Sequence, residues 1–309
     1  MDSSNALTVR LRHSLGYRLQ HLGKSVYGQA AVTEQEALTR ESLNALVVSR
    51  LFADEVGSQY PSVSRQVKEE LVIKLKELNE QLPSGTSWVS QTILATEILS
   101  LPAAIVGDVI ECGCWKGAST AALSLVCSLT GRKLIVCDSF AGLPSDETKK
   151  VHRYPHLEVF GFYEEGMYQG SMEEVKNNIS RFGDLSVCEF VPGFFSESLT
   201  AISSPVAFAF FDVDLESSMR DCIKYIWPWL VNGGRIYTDD SGDMEVVKIW
   251  FDDDWWNAKL NQPAPGYIGS GSGLPIDPNF SALGYAHKVN DPAQTYGRIS
   301  WLYYPDTAK

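Results

Sequence analysis

The sequence predicts an α/β protein built on a mostly parallel sheet, and three observations carry that prediction. Short apolar runs ending in acids recur along the chain: Val109-Ile110 before Glu111, Leu134 to Cys137 before Asp138, Val206 to Phe211 before Asp212, and Ile236-Tyr237-Thr238 before Asp239-Asp240. Helical patterns separate them, as at Ala118 to Val126 and Leu215 to Leu230, and alternating strands and helices make parallel sheets with right-handed crossovers. Val206 to Phe211 is apolar throughout, the composition of a central strand buried on both faces.

The 309 residues suffice for one large α/β domain with an appendage, or for two small domains. A hydrophobic fraction of 44% with 21% charged residues is ordinary for a globular core. No apolar run is long enough to span a bilayer, so no membrane partner is expected. A net charge of −12 argues against wrapping a phosphate backbone, which excludes nucleic acid and favours a small-molecule partner. The six cysteines (Cys112, Cys114, Cys127, Cys137, Cys188, Cys222) lack paired C-x-x-C spacing and read as reduced packing residues. Residues 1–30 are basic (Arg10, Arg12, His13, Arg18, His21, Lys24) and superficially resemble a presequence. A surface helix is the simpler reading, and without a signal-peptide apolar region the expected compartment is cytoplasmic.

In chain order, a helix starts at Thr33 with Glu36 as capping box and runs through Leu43, Leu46, Val47 and Leu51. A second follows Pro61, with Val67, Leu71, Leu75 and Leu78 on one stripe and Lys68, Glu69, Lys74 and Glu77 facing away, until Pro83-Ser84-Gly85 stops it. A third covers Val89 to Leu99. Residues 1–104 therefore form a helical N-terminal extension, a candidate substrate wall, sheet cover or homo-oligomer surface, and residues 105–309 carry the sheet.

The stretch Val109 to Thr120 joins a strand, the Gly113 and Gly117 turn and a helix N-terminus, an arrangement whose free amides attract an anionic group. Asp138 ends the next strand, 25 residues beyond Gly113. An acid there accepts ribose hydroxyls in nucleotide-binding α/β folds, or merely caps a turn. Pro144 to Gly170 is long and aromatic (Tyr154, Phe160, Phe162, Tyr163, Tyr168) and reads as a lid, with His152 and His156 as candidate bases or solvated loop residues. Ser171 and Glu174 cap a helix to Phe182, with Gly183 as its stop, and Ser186 to Val191 is a strand. Gly233-Gly234 turns the chain into Arg235 to Thr238. Met244 to Lys259 is a helix with Asp252-Asp253-Asp254 on a solvated face, while Trp250, Phe251, Trp255 and Trp256 are core or interface. Pro263 to Pro278, with Gly269-Ser270-Gly271-Ser272-Gly273, is a flexible loop, and Gly284 to Val289 with Arg298 to Tyr304 pair as an antiparallel hairpin.

In a parallel sheet all strand C-termini share one edge, where ligands bind. Glu111, Asp138, Asp212, Asp214, Asp239 and Asp240 gather there, and so many carboxylates repel one another without a cation. Hard oxygen ligands in this number suit Mg²⁺.

The pattern resembles class I S-adenosylmethionine-dependent methyltransferases and, among them, the macrocin O-methyltransferase family. The likeness covers roughly residues 105–245. It rests on Glu111-Cys112-Gly113 with Gly117-Ala118-Ser119, Asp138-Ser139-Phe140 with Gly142-Leu143-Pro144, Gly170-Ser171 with Glu174-Val175, Gly193-Phe194-Phe195, Asp212-Val213-Asp214-Leu215, and Gly233-Gly234 with Asp239-Asp240. The resemblance implies a Rossmann-like, mostly parallel seven-stranded sheet. It also implies that Glu111, Gly113, Gly117 and Ser119 surround the methionyl part of the cofactor and that Asp138 holds the ribose, with Cys114, Ser139 and Asp212 completing the site. Asp212, Asp239 and Asp240 would bind Mg²⁺, Asp214 being a neighbour of open role. Two departures, Glu216-Ser217-Ser218 after Asp214-Leu215 and Ser241 after the aspartate pair, fall beside the acceptor.

The expected reaction is methyl transfer to a hydroxyl of a sugar or other small natural product. Mg²⁺ would orient the acceptor and lower its pKa, and Asp212, His152 and His156 are the candidate catalytic residues. A metal-dependent glycosyltransferase using Asp212-Val213-Asp214 as D-x-D, and a non-catalytic binding subunit of the same fold, are the rival readings. A nicotinamide dehydrogenase is disfavoured because the first turn lacks G-x-G-x-x-G.

Overall fold

The computed structural model describes residues 41–42, 44–145, 150–153, 157–160, 163–268 and 283–289, the two short segments 150–153 and 157–160 by their backbone alone. The chain divides into two compact units, Met1–Leu46 and Val47–Lys309. In the first, the described residues are helical; everything below belongs to the second.

Its centre is a six-stranded sheet. Strands β1 (Asp108–Cys112), β2 (Leu134–Asp138), β5 (Cys188–Pro192), β6 (Val206–Phe211) and β7 (Leu230–Thr238) run parallel in the order β5-β2-β1-β6-β7, and β8 (Gly284–His287) closes the edge antiparallel to β7. Six strands stand where seven were expected among the described residues. The expected second hairpin strand, Arg298 to Tyr304, lies outside them, as do the Gly269 to Gly273 loop and the helix starting at Thr33.

Alternation along each strand divides the core into two apolar layers. Val109, Leu134, Val136, Phe208, Phe210 and Tyr237 face one side, where α1 (Arg65–Gln81), α2 (Trp88–Leu99), α3 (Ala118–Thr130) and α4 (Met172–Phe182) pack. Ile110, Ile135, Ala209, Phe211 and Ile236 face the other, against the short α5 (Phe195–Ser198), α6 (Glu216–Ile226), α7 (Met244–Ile249) and α8 (Asp253–Leu260). Strands buried on both faces need this double cover, which explains their uninterrupted apolar sequence. Serine caps set the helix starts: Ser64 accepts from the Val67 amide, Ser87 from Ser90 and Ser171 from Glu174. The side chain of Glu97 on α2 pairs with Arg235 on β7, tying the helical cover to the sheet.

Several sequence expectations are corrected. Lys68 is buried rather than facing away, because its ammonium donates to the carbonyl of Ala53 at 3.1 Å while its stem packs. Gly233-Gly234 lies within β7 instead of preceding it; the register slips between Val206 and Phe208, and Gly233 donates to the Lys288 carbonyl at 2.7 Å. The expected helix to Leu230 stops at Ile226, and Leu230 opens β7. Met244 to Lys259 is two helices, because Asp252 accepts from the Trp255 amide at 3.1 Å and caps a new start. Trp250 and Trp256 are fully buried as expected, whereas Phe251 is exposed.

The excursion between β2 and α4 is not structureless. It contains an antiparallel hairpin, β3 (Lys150–Arg153) with β4 (Leu157–Phe160), and β3 runs beside α7. Its two ends meet: Leu143 donates to the Met167 carbonyl at 2.9 Å, and Gly166 donates to the Leu143 carbonyl at 3.0 Å.

Candidate active site

The C-terminal ends of β1, β2, β6 and β7 open into a cavity of about 620 Å³. Its floor is the turn after β1. Gly113 has φ +86°, and a Cβ there would overlap the carbonyl oxygen of Asp212, so only glycine lets this turn sit against the end of β6. Gly113 donates to Cys137 at 2.9 Å, and Asp212 donates to Cys112 at 2.9 Å, which locks the turn between its two neighbouring strands.

Asp138 organises the turn from β2. One carboxylate oxygen accepts from the amides of Cys114 (2.7 Å) and Trp115 (3.3 Å), and the other accepts from Phe140 at 2.7 Å. Ser139 donates to the Gly142 carbonyl at 2.7 Å. A carboxylate has about four acceptor positions, so Asp138 clamps the turn and retains acceptor capacity toward the cavity it lines.

Gly113, Cys114, Ser119, Asp138, Ser139 and Asp212 all line the cavity, as do Asp239 and Asp240. Glu111 and Gly117 lie behind that wall. Glu111 is fully buried; it accepts from the Thr120 hydroxyl at 2.6 Å through one oxygen, while the other is buried without a hydrogen bond. Burial pushes its carboxyl up to about 7, against the pull of the Ser119 and Thr120 hydroxyls. The thiols of Cys112 and Cys114 are buried and driven well above their usual range by desolvation, which makes them packing groups rather than nucleophiles.

Three carboxylates converge opposite the turn: ligand atoms of Asp212, Asp214 and Asp240 lie within 4.8 Å of one another. The geometry thus draws in Asp214, whose backbone is left-handed at φ +59°. Asp240 accepts from the amides of Val213 (3.3 Å) and Asp214 (3.1 Å), and so shapes the bend after β6. Burial first, then the charges of Asp239, Asp240 and Glu111, hold Asp212 well above the usual carboxylate range. Burial, then Asp214 and Asp243, do the same to Asp240.

His152 stands on β3, its side chain outside the described residues, and His156 lies outside them altogether. Several residues without an assigned role in the sequence reading also reach the site. Thr86, in the loop between α1 and α2, donates to Asp212 at 3.4 Å, so part of the helical cover forms a cavity wall. Trp115, Tyr163, Tyr168, Phe194 and Phe195 supply its aromatic lining, and Tyr163 donates to Asp243 at 3.3 Å. The aromatic richness of the excursion signalled Tyr163 and Tyr168, and the resemblance at Gly193-Phe194-Phe195 signalled the two phenylalanines, whereas Thr86 and Trp115 had no signal of their own.

The buried Glu111 carries a pH prediction. The folded protein holds this proton more tightly than the unfolded chain, whose carboxyl titrates near 4.5. The stability contributed by the protonated group is full below that pH and lost as pH rises through about 7, a difference of about 3 kcal/mol by pH 8. Glu111→Gln is expected to remove that part of the decline in urea-unfolding free energy between pH 5 and pH 8. An unchanged decline in the variant contradicts this assignment.

A glycine turn after β1, an acid ending β2 and carboxylates at the ends of β6 and β7, on this strand order, define a class I methyltransferase architecture. The chain belongs to the macrocin O-methyltransferase (TylF) family, whose model matches residues 94–264. It is similar to an 8-demethyl-8-(2,3-dimethoxy-α-L-rhamnosyl)-tetracenomycin-C 4′-O-methyltransferase of Streptomyces olivaceus, 28% identical over 192 residues. That alignment covers 60% of this chain and 66% of the relative, just under two thirds of its length. Among solved structures, it is similar to the O-methyltransferase NovP (19% identity, 72% of this chain and 79% of that one, TM-score 0.45). It is also similar to the calicheamicin methyltransferase CalS11 (17% identity, 73% and 93%, TM-score 0.45). No helix among the described residues is long and apolar enough to cross a membrane.

Proposed function

We propose that the protein is an S-adenosylmethionine- and Mg²⁺-dependent O-methyltransferase that methylates a hydroxyl of a sugar carried on a natural product. The observation that carries this reading is the convergence of Asp212, Asp214 and Asp240 beside the Gly113 turn in one cavity of a chain of this family. The glycosyltransferase reading of Asp212-Val213-Asp214 gains no support from that family.

The residues fit both groups. The first amides of α3, which have no partner within the helix, would serve the cofactor carboxylate, and Glu111 behind the turn, once ionised, would supply negative potential for the ammonium or sulfonium. Asp138 keeps acceptor capacity for the ribose. Asp212 and Asp240 would hold Mg²⁺ together with Asp214, which completes their triad, or with the expected Asp239, which lines the same cavity outside that triad; burial and then neighbouring carboxylates raise Asp212 and Asp240, and a divalent cation relieves both. When bound, the cofactor supplies a methyl group on a good leaving group, and the metal supplies a Lewis acid for the acceptor hydroxyl. The chain itself aligns the acceptor and excludes water, through the Thr86 loop on one side and Tyr163 to Gly170 on the other.

The test is thermal stabilisation by S-adenosylhomocysteine with and without Mg²⁺, followed by methyl transfer to methyl α-L-rhamnopyranoside. A rise in melting temperature with the cofactor product, enlarged by Mg²⁺, is expected. No shift with S-adenosylhomocysteine sinks the cofactor assignment; a shift and turnover indifferent to Mg²⁺ and EDTA sink the metal.

A further inference from the structure

Trp115 follows the glycine turn in a left-handed backbone conformation, φ +44°, which a large side chain adopts at a cost. The surrounding structure enforces it. Asp138 accepts from the Trp115 amide at 3.3 Å, and the carbonyl of Trp115 lies so close to Gly170 that a Cβ on that glycine would overlap it. Tyr168 is also left-handed, φ +57°, and its ring meets Trp115 edge to face at 5.7 Å. Tyr163 continues the row, 6.4 Å from Tyr168, and ends it with a hydrogen bond to Asp243. Two strained backbones held in register to present one aromatic edge point to a binding role.

The row starts on the turn proposed for the cofactor and leads away from it. It runs from the end of β1 to Asp243, beyond β7, where Asp212, Asp214 and Asp240 converge, whereas Phe194 and Phe195 follow β5 at the opposite edge of the sheet. An apolar aromatic surface facing carboxylates matches a pyranose, which has a C–H face and a rim of hydroxyls; an open-chain polyol has no such face.

We infer that Trp115, braced by Tyr168, is the specificity-determining platform on which the ring of the acceptor sugar lies. This rests on the O-methyltransferase reading. Asp138 and Gly170 act as positioning residues for the platform.

The experiment is calorimetric binding of methyl α-L-rhamnopyranoside and of L-rhamnitol to the full chain saturated with S-adenosylhomocysteine and Mg²⁺. The wild type is expected to prefer the pyranoside by about tenfold, the scale of one good aromatic contact. Trp115→Ala loses that preference when both titrations are run at saturating S-adenosylhomocysteine. Trp115→Phe retains part of it. Tyr168→Ala, which leaves the tryptophan in place unbraced, also retains part and serves if Trp115→Ala does not fold. A wild type that binds S-adenosylhomocysteine without distinguishing ring from open chain, or without binding either, overturns the inference. So does a Trp115 or Tyr168 variant that weakens S-adenosylhomocysteine and leaves the preference intact. Failure of the wild type to bind S-adenosylhomocysteine is a different result, which removes the methyltransferase reading itself.

Discussion

Gly113→Ala is expected to abolish S-adenosylhomocysteine binding and to destabilise the protein by about 4 kcal/mol. This sums a left-handed backbone that alanine disfavours and an overpacked contact, each worth about 1–3 kcal/mol. The added methyl would overlap the carbonyl oxygen of Asp212, backbone against backbone, where no side chain can swing aside. Relief requires separating the turn from the end of β6, and that moves the amides of Cys114 and Trp115 away from Asp138. Isothermal titration with S-adenosylhomocysteine, with urea unfolding of the same variant, reads both effects. Wild-type affinity in this variant contradicts a role for the turn in binding the cofactor product.

Asp240→Asn has the second largest expected effect, and its signature is opposed in sign between stability and activity. The amide oxygen of asparagine can still accept from Val213 and Asp214, so the bend after β6 survives. The buried charge that Asp214 and Asp243 oppose is gone. The variant without ligands should therefore melt higher than wild type at pH 8, where the unfolded aspartate is ionised while folding, by burying it near Asp214 and Asp243, opposes that ionisation. Its stabilisation by Mg²⁺ should disappear, and methyl transfer should fall by about a hundredfold or more. The sign follows from linkage: a carboxyl raised by folding contributes stability at low pH that is lost as pH rises, so removing it helps most at high pH. Calorimetry at pH 5 and pH 8, with and without Mg²⁺, checks this. A variant less stable than wild type at pH 8, or one still stabilised by Mg²⁺, contradicts it.

Much of this arrangement was legible in the chain. The strands are short, apolar and buried on both faces, so Val206 to Phe211 could hardly be anything else, and the acids that end them mark one edge once the sheet is parallel. Local signals located the Ser171 cap and the Gly113 turn because their physics is local. The remainder depends on partners distant in sequence. Thr86 meets Asp212 across 126 residues, and nothing near either residue announces the other. Lys68 has the pattern of a solvent-facing lysine, and only the Ala53 carbonyl makes its burial tolerable. Asp252 looked like part of a solvated acidic run because capping and solvation draw on the same residue type. Trp115 gave no hint of its backbone, since an aromatic residue in a left-handed conformation contradicts propensity and is sustained only by tertiary contacts.

The meeting of Leu143 with Gly166 and Met167 has a consequence for how such a protein changes over generations. This loop has its two ends stitched together by main-chain bonds that do not depend on its side chains, with Tyr163 adding a hydrogen bond to Asp243. Its length and composition can drift, or be exchanged for those of a relative, while Asp138 on one side and Tyr168 on the other stay where they are. On the proposed activity, the range of acceptors would change by rewriting about twenty residues between Leu143 and Tyr163, away from the turn proposed for the methyl donor.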